Sequence, residues 1–420
     1  MQACVYQKLD HREQRLHSRR GVISAWSVFA LMLAGLCTSL VINQLWLSQM
    51  RAEAIRCAEA AALAAGSELL SDDLLKVHPA DLENQWRLDR AKLSAIDMSR
   101  KYHASAGVPE LDESDILFNG TDSVVASSTS TIPASVTVTY GGLRSDGGPK
   151  HSVRMFFPGL SGVQQAAIGM HATAKIENQP VAFQAGPGIN IPMAPLAIPD
   201  DSTGRNSRSW TWLIEQGHGK DQYAWSNDSH TIQPGPDGLP EIQLTFQPNS
   251  VANQCGNIIP LNLCNQPNLD PSLLTDWMAG GIDADSLHGG VAAGGPTDRT
   301  AATSIVFPHR CTGVALTKTS LNPFADAIAS ALGRPVLFPI TQSETESDDA
   351  EPEHDGSSNS TQALTLDRTV AARVMSVRMS KSGQVDIVLQ PCVMTTATAI
   401  MDSTGTAPSN RYVYRMRLAY

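Results

Sequence analysis

Glu215, His218 and Asp221 share one polar loop, and a carboxylate–imidazole–carboxylate set is the raw material of general acid–base catalysis. The same three residue types on a solvated loop need no site at all, and that is the first reading here. The 11 histidines are otherwise scattered singly, with no H-E-x-x-H pair to hold a metal. A G-x-S-x-G elbow and a phosphate-cradling Gly-rich loop are both missing, which disfavours the hydrolase and nucleotidase classes they mark. Asp237 lies in the turn signal Pro236-Asp237-Gly238 and would meet a cation only if other oxygens converged there. Cysteines 255, 264, 311 and 392 match no structural zinc spacing. In an oxidising compartment four cysteines allow three pairings. Cys255–Cys264, closing a short loop around Gly256–Pro260, is the pairing expected first, and four separate buried thiols are the alternative. No catalytic residue, cofactor or metal site is predicted.

The elements that must carry these residues begin with a membrane-type segment. Residues 1–20 contain five bases (Lys8, Arg12, Arg15, Arg19, Arg20) and two acids, so +3 of the formal −10 sits there and −13 on the remaining 400 residues. From Gly21 to Met50 there is no Asp, Glu, Lys, Arg or His. The 27 residues of Gly21–Leu47, if helical, span about 40 Å against a hydrocarbon core of about 30 Å. Trp26 and Trp46 fall near the two ends, where indoles prefer the interface. The run is too long for a cleaved secretory signal, and Leu36 before Cys37 does not suit a lipoprotein site. A prepilin-type site after Arg19-Arg20-Gly21 lacks the usual glutamate, since the fifth residue after the glycine is Trp26. An uncleaved single-pass anchor is expected, with the basic end cytoplasmic and residues 51–420 exported. A nucleic-acid binder is disfavoured, because phosphate contacts need a basic face.

Beyond the anchor, 8 of the 16 residues 51–66 are Ala, the best helix former, so the helix should continue as a stalk to about Leu75. Its small residues allow either self-association or simply a stable helix. Leu82–Ala106, free of Gly and Pro, reads as a second helix. From about 108 onward the sequence turns β-rich. Strict alternation marks Ser135–Tyr140, Ala166–Ile176, Ile242–Phe246 and a closing strand in Arg411–Tyr420, all read as half-buried antiparallel strands. Met375–Met379 and Val385–Leu389 flank Ser380–Gly383 as a hairpin. Asp270-Pro271 with Gly280, and Asn322-Pro323 with Gly333, punctuate two short helices. Ser343–Gln362 carries seven acids and no Lys or Arg, so it is expected as a disordered acidic loop. The expected fold is α+β: a cytoplasmic tail (1–20), an anchor (21–47), a helical stalk and second helix (48–107), and a β-rich extracytoplasmic region (108–420).

The order of basic pair, Gly21, long apolar run and "RCAEAAALAAGSEL" resembles the TadE/TadG-like family of Flp (Tad) pilus-assembly proteins. Arg20 and Gly21 stand where that family's basic pair and glycine stand. Ala58-Glu59-Ala60-Ala61-Ala62-Leu63-Ala64-Ala65 matches its A-D-A-A-A-L-A-A signature, with Glu59 in place of the usual Asp. A looser resemblance runs through "VRMFFPGLSGVQQAAIGMHATAKI", "PGPDGLPEIQLTF" and "CGNIIPLN" to long extracytoplasmic members of planctomycete-like bacteria. The resemblance implies a non-catalytic envelope component of pilus assembly in the bacterial inner membrane, with the lipid bilayer and other pilus-assembly or envelope proteins as partners. A von Willebrand A metal site, found in some relatives, is not implied, since Asp112-Glu-Ser-Asp and Asp283-Ala-Asp-Ser both fail its D-x-S-x-S pattern. A membrane-anchored adhesin or ligand-binding module is the alternative.

Overall fold

In the computed structural model the described residues are 6–76, 80–106, 110–119, 124–125, 131–141, 150–158, 164–227, 229–266, 269–288, 303–343 and 362–419; side chains of 6–24, 80–84, 103–106, 124, 125 and 131 lie outside the description. Arg20 and Gly21 therefore have a helical backbone and no side-chain account, and the acidic stretch 344–361 lies outside the described residues.

The chain is α+β. Helix α1 runs unbroken over Tyr6–Leu69, and its apolar stretch is long enough to cross a membrane. Large side chains along that stretch, from Trp26 to Leu45, are exposed. The second half of α1 is the opposite. Met50, Ala54, Cys57, Ala58, Ala61, Ala62, Ala65 and Leu69 are all buried, at spacings of three and four. Helix α2 (Ala80–Ala106) covers one side of this seam and a β-sheet covers the other. The helix stops at Leu69, short of the expected Leu75, and the intervening Asp72–Leu75 forms a 3-10 turn.

The sheet against α1 has five strands in the order Ile116–Asn119, Ser135–Tyr140, Met170–Glu177, Val413–Ala419 and Met394–Thr395. Ser135–Tyr140 falls where alternation placed it, with Val136, Val138 and Tyr140 buried toward one face. The expected strand over Ala166–Ile176 is instead two. Gln165–Ala167 pairs with Ser152–Arg154, the chain breaks at Ile168-Gly169, and Met170–Glu177 enters the main sheet.

The larger unit is built around Ala363–Met379, a 17-residue strand. One edge pairs with His309–Gly313 and then with Val385–Pro391; the other pairs with Pro335–Gln342. From His309–Gly313 the ladder passes through Ile259–Asn262 and Leu196–Asp200 back to Pro335–Gln342. Five strands thus close on themselves, a barrel that leaves its members no free edge. Two pairings are parallel, Pro335–Gln342 with Leu196–Asp200 and Met394–Thr395 with Val413–Ala419, so the β-structure is mixed where an antiparallel arrangement was expected. The long connection from 200 to 335, which carries both short helices, is what permits a parallel return.

Those helices start differently. Pro271–Gly280 takes Asp270 as N-cap, as read from sequence, and Gly281 (φ +80°) as C-cap instead of Gly280. The second spans Lys318–Ser330 with Thr317 as N-cap, so Asn322 caps nothing and Pro323 lies inside the helix. The Thr317 hydroxyl accepts from Ser320 N, and this competing cap one turn upstream moves the start.

The α1 seam gives a direct test. Ala61→Leu inserts three carbons where both sides are filled and should cost about 1–3 kcal/mol, lowering the melting temperature of the full chain in detergent. Ser67→Ala, on the exposed face, should leave it unchanged.

Candidate functional site

A cavity of about 570 Å³ opens between the Pro180–Gln184 strand, the first half of Ala363–Met379 and the segment Ala407–Tyr412. Its polar wall is organised by a single turn of π-helix, Thr211–Glu215, closed by Gln216 N donating to Thr211 O at 3.0 Å. Such turns shift one side chain relative to the next face, and here the two ends serve different partners. At the first, Thr211 N and its hydroxyl donate to Asp200, at 2.9 and 2.7 Å. At the other, Glu215 turns toward Arg368.

Arg368 bridges both acids. Its Nη1 donates to Glu215 Oε1 at 2.8 Å and its Nη2 to Asp200 Oδ2 at 2.9 Å. Burial works against the guanidinium's charge, but Glu215 and Asp200 more than offset it. Tyr412 donates its hydroxyl to Glu215 at 3.3 Å, accepts from Trp210 Nε1 at 3.1 Å, and packs its ring edge-to-face on the indole at 5.7 Å. Burial pushes the Tyr412 hydroxyl well above the ordinary phenol range, so it stays a neutral donor.

Two buried polar atoms at this cavity have no partner within the protein: the Thr369 hydroxyl and Arg411 Nε. Glu215 is held by Arg368, while Asp367, also on the lining, is exposed. Pro180, Val181, Phe307 and Pro308 supply the apolar half.

The residues that sequence grouped as an acid–base set do not converge. Glu215 joins Arg368, His218 stacks on Trp212 with centroids 4.0 Å apart, and Asp221 accepts from Asp237 N and Gly238 N. Asp237 receives Leu239 N and the Gln390 amide, and burial raises its carboxyl. Asp112 and Asp115 form a capping box, and Asp283 holds Ser286 N at 2.6 Å. Among the described residues no group of three His, Cys, Asp or Glu side chains could hold a metal ion.

A second polar chain links α1 to the sheet. Cys57 Sγ meets the Tyr140 hydroxyl at 2.9 Å, the Tyr140 ring lies edge-on to His151 at 5.3 Å, and His151 Nε2 meets Asp115 Oδ2 at 3.0 Å. Lys150 bonds the other Asp115 oxygen. Burial alone would raise the Asp115 carboxyl, but hydrogen bonds from His151 and Lys150 outweigh it and hold the group low. The order Cys, Tyr, His, Asp is not an activated thiol, because the imidazole faces a ring and burial pushes Cys57 up. It is a buried strut. Sequence reasoning had no means to find it, since its two hydrogen bonds join residues 83 and 36 apart.

The family-signature residues have a common place. Ala58, Ala61, Ala62 and Ala65 form the buried seam, while Glu59, Ala60, Leu63 and Ala64 are half-buried at its margins. Cys255 and Cys264 are separate buried thiols, so the expected pair is not formed. The segment between them does not close as a short loop but carries the Ile259–Asn262 strand, which pairs with Leu196–Asp200 and His309–Gly313.

No family model matches the chain, and no curated protein or solved structure does either.

Arg368→Met should unfold the π-helical wall and cost about 1–3 kcal/mol, less than a fully buried pair because the side chain is 38% exposed. Arg417→Met, which breaks the exposed pair with Glu177, should cost under about 1 kcal/mol in the same denaturation series. Peptide mapping without reductant should yield no linked Cys255–Cys264 fragment.

Proposed function

We propose that the protein is a single-pass, membrane-anchored structural or assembly component of a bacterial envelope, of the kind the TadE/TadG-like resemblance implies, acting without catalysis of its own. One observation carries this reading. A single uninterrupted helix exposes an uncharged apolar stretch from Trp26 to Leu45 and buries the stretch from Met50 to Leu69 between α2 and a sheet. An exposed apolar surface of that length is costly in water and favourable in hydrocarbon. The basic residues before it orient it with the N-terminus cytoplasmic and the folded body outside. The rod then delivers a β-rich body at a fixed height above the membrane, as a scaffold subunit requires.

The 570 Å³ cavity, with its unpartnered Thr369 hydroxyl, favours a second reading, a membrane-anchored ligand-binding or adhesin module. The two readings share the anchor and differ in what the body holds.

In a bacterial host the full chain should stay with membranes through an alkaline carbonate wash, and its body should be protease-sensitive in spheroplasts but not in intact inverted vesicles. Deleting the gene in its own organism should reduce surface pili. A carbonate-soluble protein would remove the anchor, and normal piliation would remove the pilus assignment while leaving the adhesin reading standing.

A further inference from the structure

A stripe on α1 breaks the exposure of its apolar half. Ser39, Asn43 and Met50 are buried and Trp46 is half-buried, at intervals of four, three and four along one helix face. The Arg154–Pro158 segment, which leaves the small Ser152–Arg154 strand, seats on that face. Asn43 donates its amide to Phe157 O at 3.1 Å and accepts Phe157 N at 2.8 Å. One turn further, Trp46 Nε1 donates to Arg154 O at 3.1 Å. Both polar groups of Asn43 are thereby satisfied in the middle of an uncharged run, which is the condition for such a residue to lie near hydrocarbon.

The same contacts gather aromatic rings at one level. Trp46 lies 6.1 Å from Phe156, and Phe156 lies 5.0 Å edge-on to Phe157. Phe156 remains 59% exposed, although Phe157 beside it is half-buried. Along the axis, the 20 residues from Trp26 to Trp46 span about 30 Å, the thickness of a hydrocarbon core. If the two indoles mark the two interfaces, Phe156 is held at the outer one. Arg154 is exposed just before it and Arg51 follows on α1, placing guanidinium groups where lipid phosphates lie.

We propose that the Arg154–Pro158 segment is a second membrane contact, with Phe156 inserted at the outer headgroup–acyl boundary and Arg154 facing lipid phosphate. The occupant of this patch is phospholipid, because exposed Phe156 packs beside Trp46 at the end of the exposed apolar stretch of α1. Two attachment points, joined through Asn43 and Trp46, fix the rotation of α1 about its own axis and seat the body on the bilayer. This inference rests on the anchor reading above.

The test uses the full chain in phospholipid vesicles with an environment-sensitive fluorophore on one cysteine. With Cys4→Ser, the probe goes on Cys37, exposed on the apolar face midway between the two tryptophans. With Cys4→Ser, Cys37→Ser and Phe156→Cys it goes on position 156, and with Cys4→Ser, Cys37→Ser and Lys381→Cys it goes on an exposed hairpin turn of the barrel unit. Lipids brominated near the carbonyl end of the chain should quench position 156 more than lipids brominated near the methyl end, with a blue-shifted emission. Position 37 should show the reverse order, and position 381 no quenching. Quenching at 37 with a water-exposed, unquenched 156 overturns the proposal and leaves the anchor intact. A probe at 156 that is blue-shifted but unquenched assigns the patch to a protein neighbour and overturns it too. Loss of quenching at 37 removes the anchor reading itself. A second variant, Phe156→Ser, should weaken quenching of a probe at Ser152→Cys in the Cys4→Ser, Cys37→Ser background, and leave quenching of the Cys37 probe unchanged in the Cys4→Ser background.

Discussion

The α2 helix and the five-stranded sheet are positioned by the close approach of α1 to both at once. A helix with ordinary core residues on both sides would hold α2 and the sheet apart. Ala54, Ala58, Ala61 and Ala65 on the seam present only methyl groups, and Gly66 presents none. A Cβ at Gly66 would stand 2.9 Å from Met416 Sδ and 3.9 Å from Ala174 Cβ, on strands of the sheet. Alanine loses no side-chain rotamer entropy on burial, so the seam is ordered cheaply, and the apolar payload comes from Val136, Val138 and Ile176 opposite. Because α1 is one helix, whatever sets the rotation of this seam also sets which face its apolar half turns outward.

The barrel unit is tied to the end of that rod by few but costly contacts. Asp72, just past α1, pairs with Arg373 of the long strand and accepts Val393 N at 2.7 Å. Arg373 also lies 5.2 Å over the Trp225 ring. Arg411 reaches Leu75 O, and two residues later the chain enters the strand that completes the α1 sheet. The C-terminal segment therefore lines the cavity at Tyr412 and then crosses into the other sheet at Val413. A ligand seated against Tyr412 would press on a segment shared by both units. That geometry makes the cavity and the rod mechanically continuous.

What was legible in the sequence was local. Ser135–Tyr140 and Ile242–Phe246 declare themselves because one face of each meets a core and the other does not, so side chains alternate. The Met375–Met379 hairpin and the Asp270 cap were legible for the same reason, with turn or cap chemistry adjacent to the element. Barrel closure was hidden because it joins Leu196–Asp200 to Pro335–Gln342 in parallel, and strands buried on both faces lose their alternation. The candidate site was hidden similarly. Glu215 looked like a loop acid, but its partner Arg368 is 153 residues away and nothing near either residue marks the pair. Nothing near Asn43 in the sequence marks a partner for its amide, which is Phe157, 114 residues later.

The cysteines show how burial substitutes for cross-linking. Cys57, Cys255, Cys264, Cys311 and Cys392 are each buried and none is in a disulfide. Oxidation and exchange proceed through the thiolate. Burial raises all five groups, and Cys264 and Cys311 are pushed up to about 12. At neutral pH the reactive form is then scarce as well as inaccessible. The chain can thus keep small, dense side chains at Cys57 on the seam and Cys392 beside the Asp72 tie without closing loops there. A disulfide would fix one distance, whereas these thiols fill space at junctions where two sheets and a helix must meet at van der Waals contact.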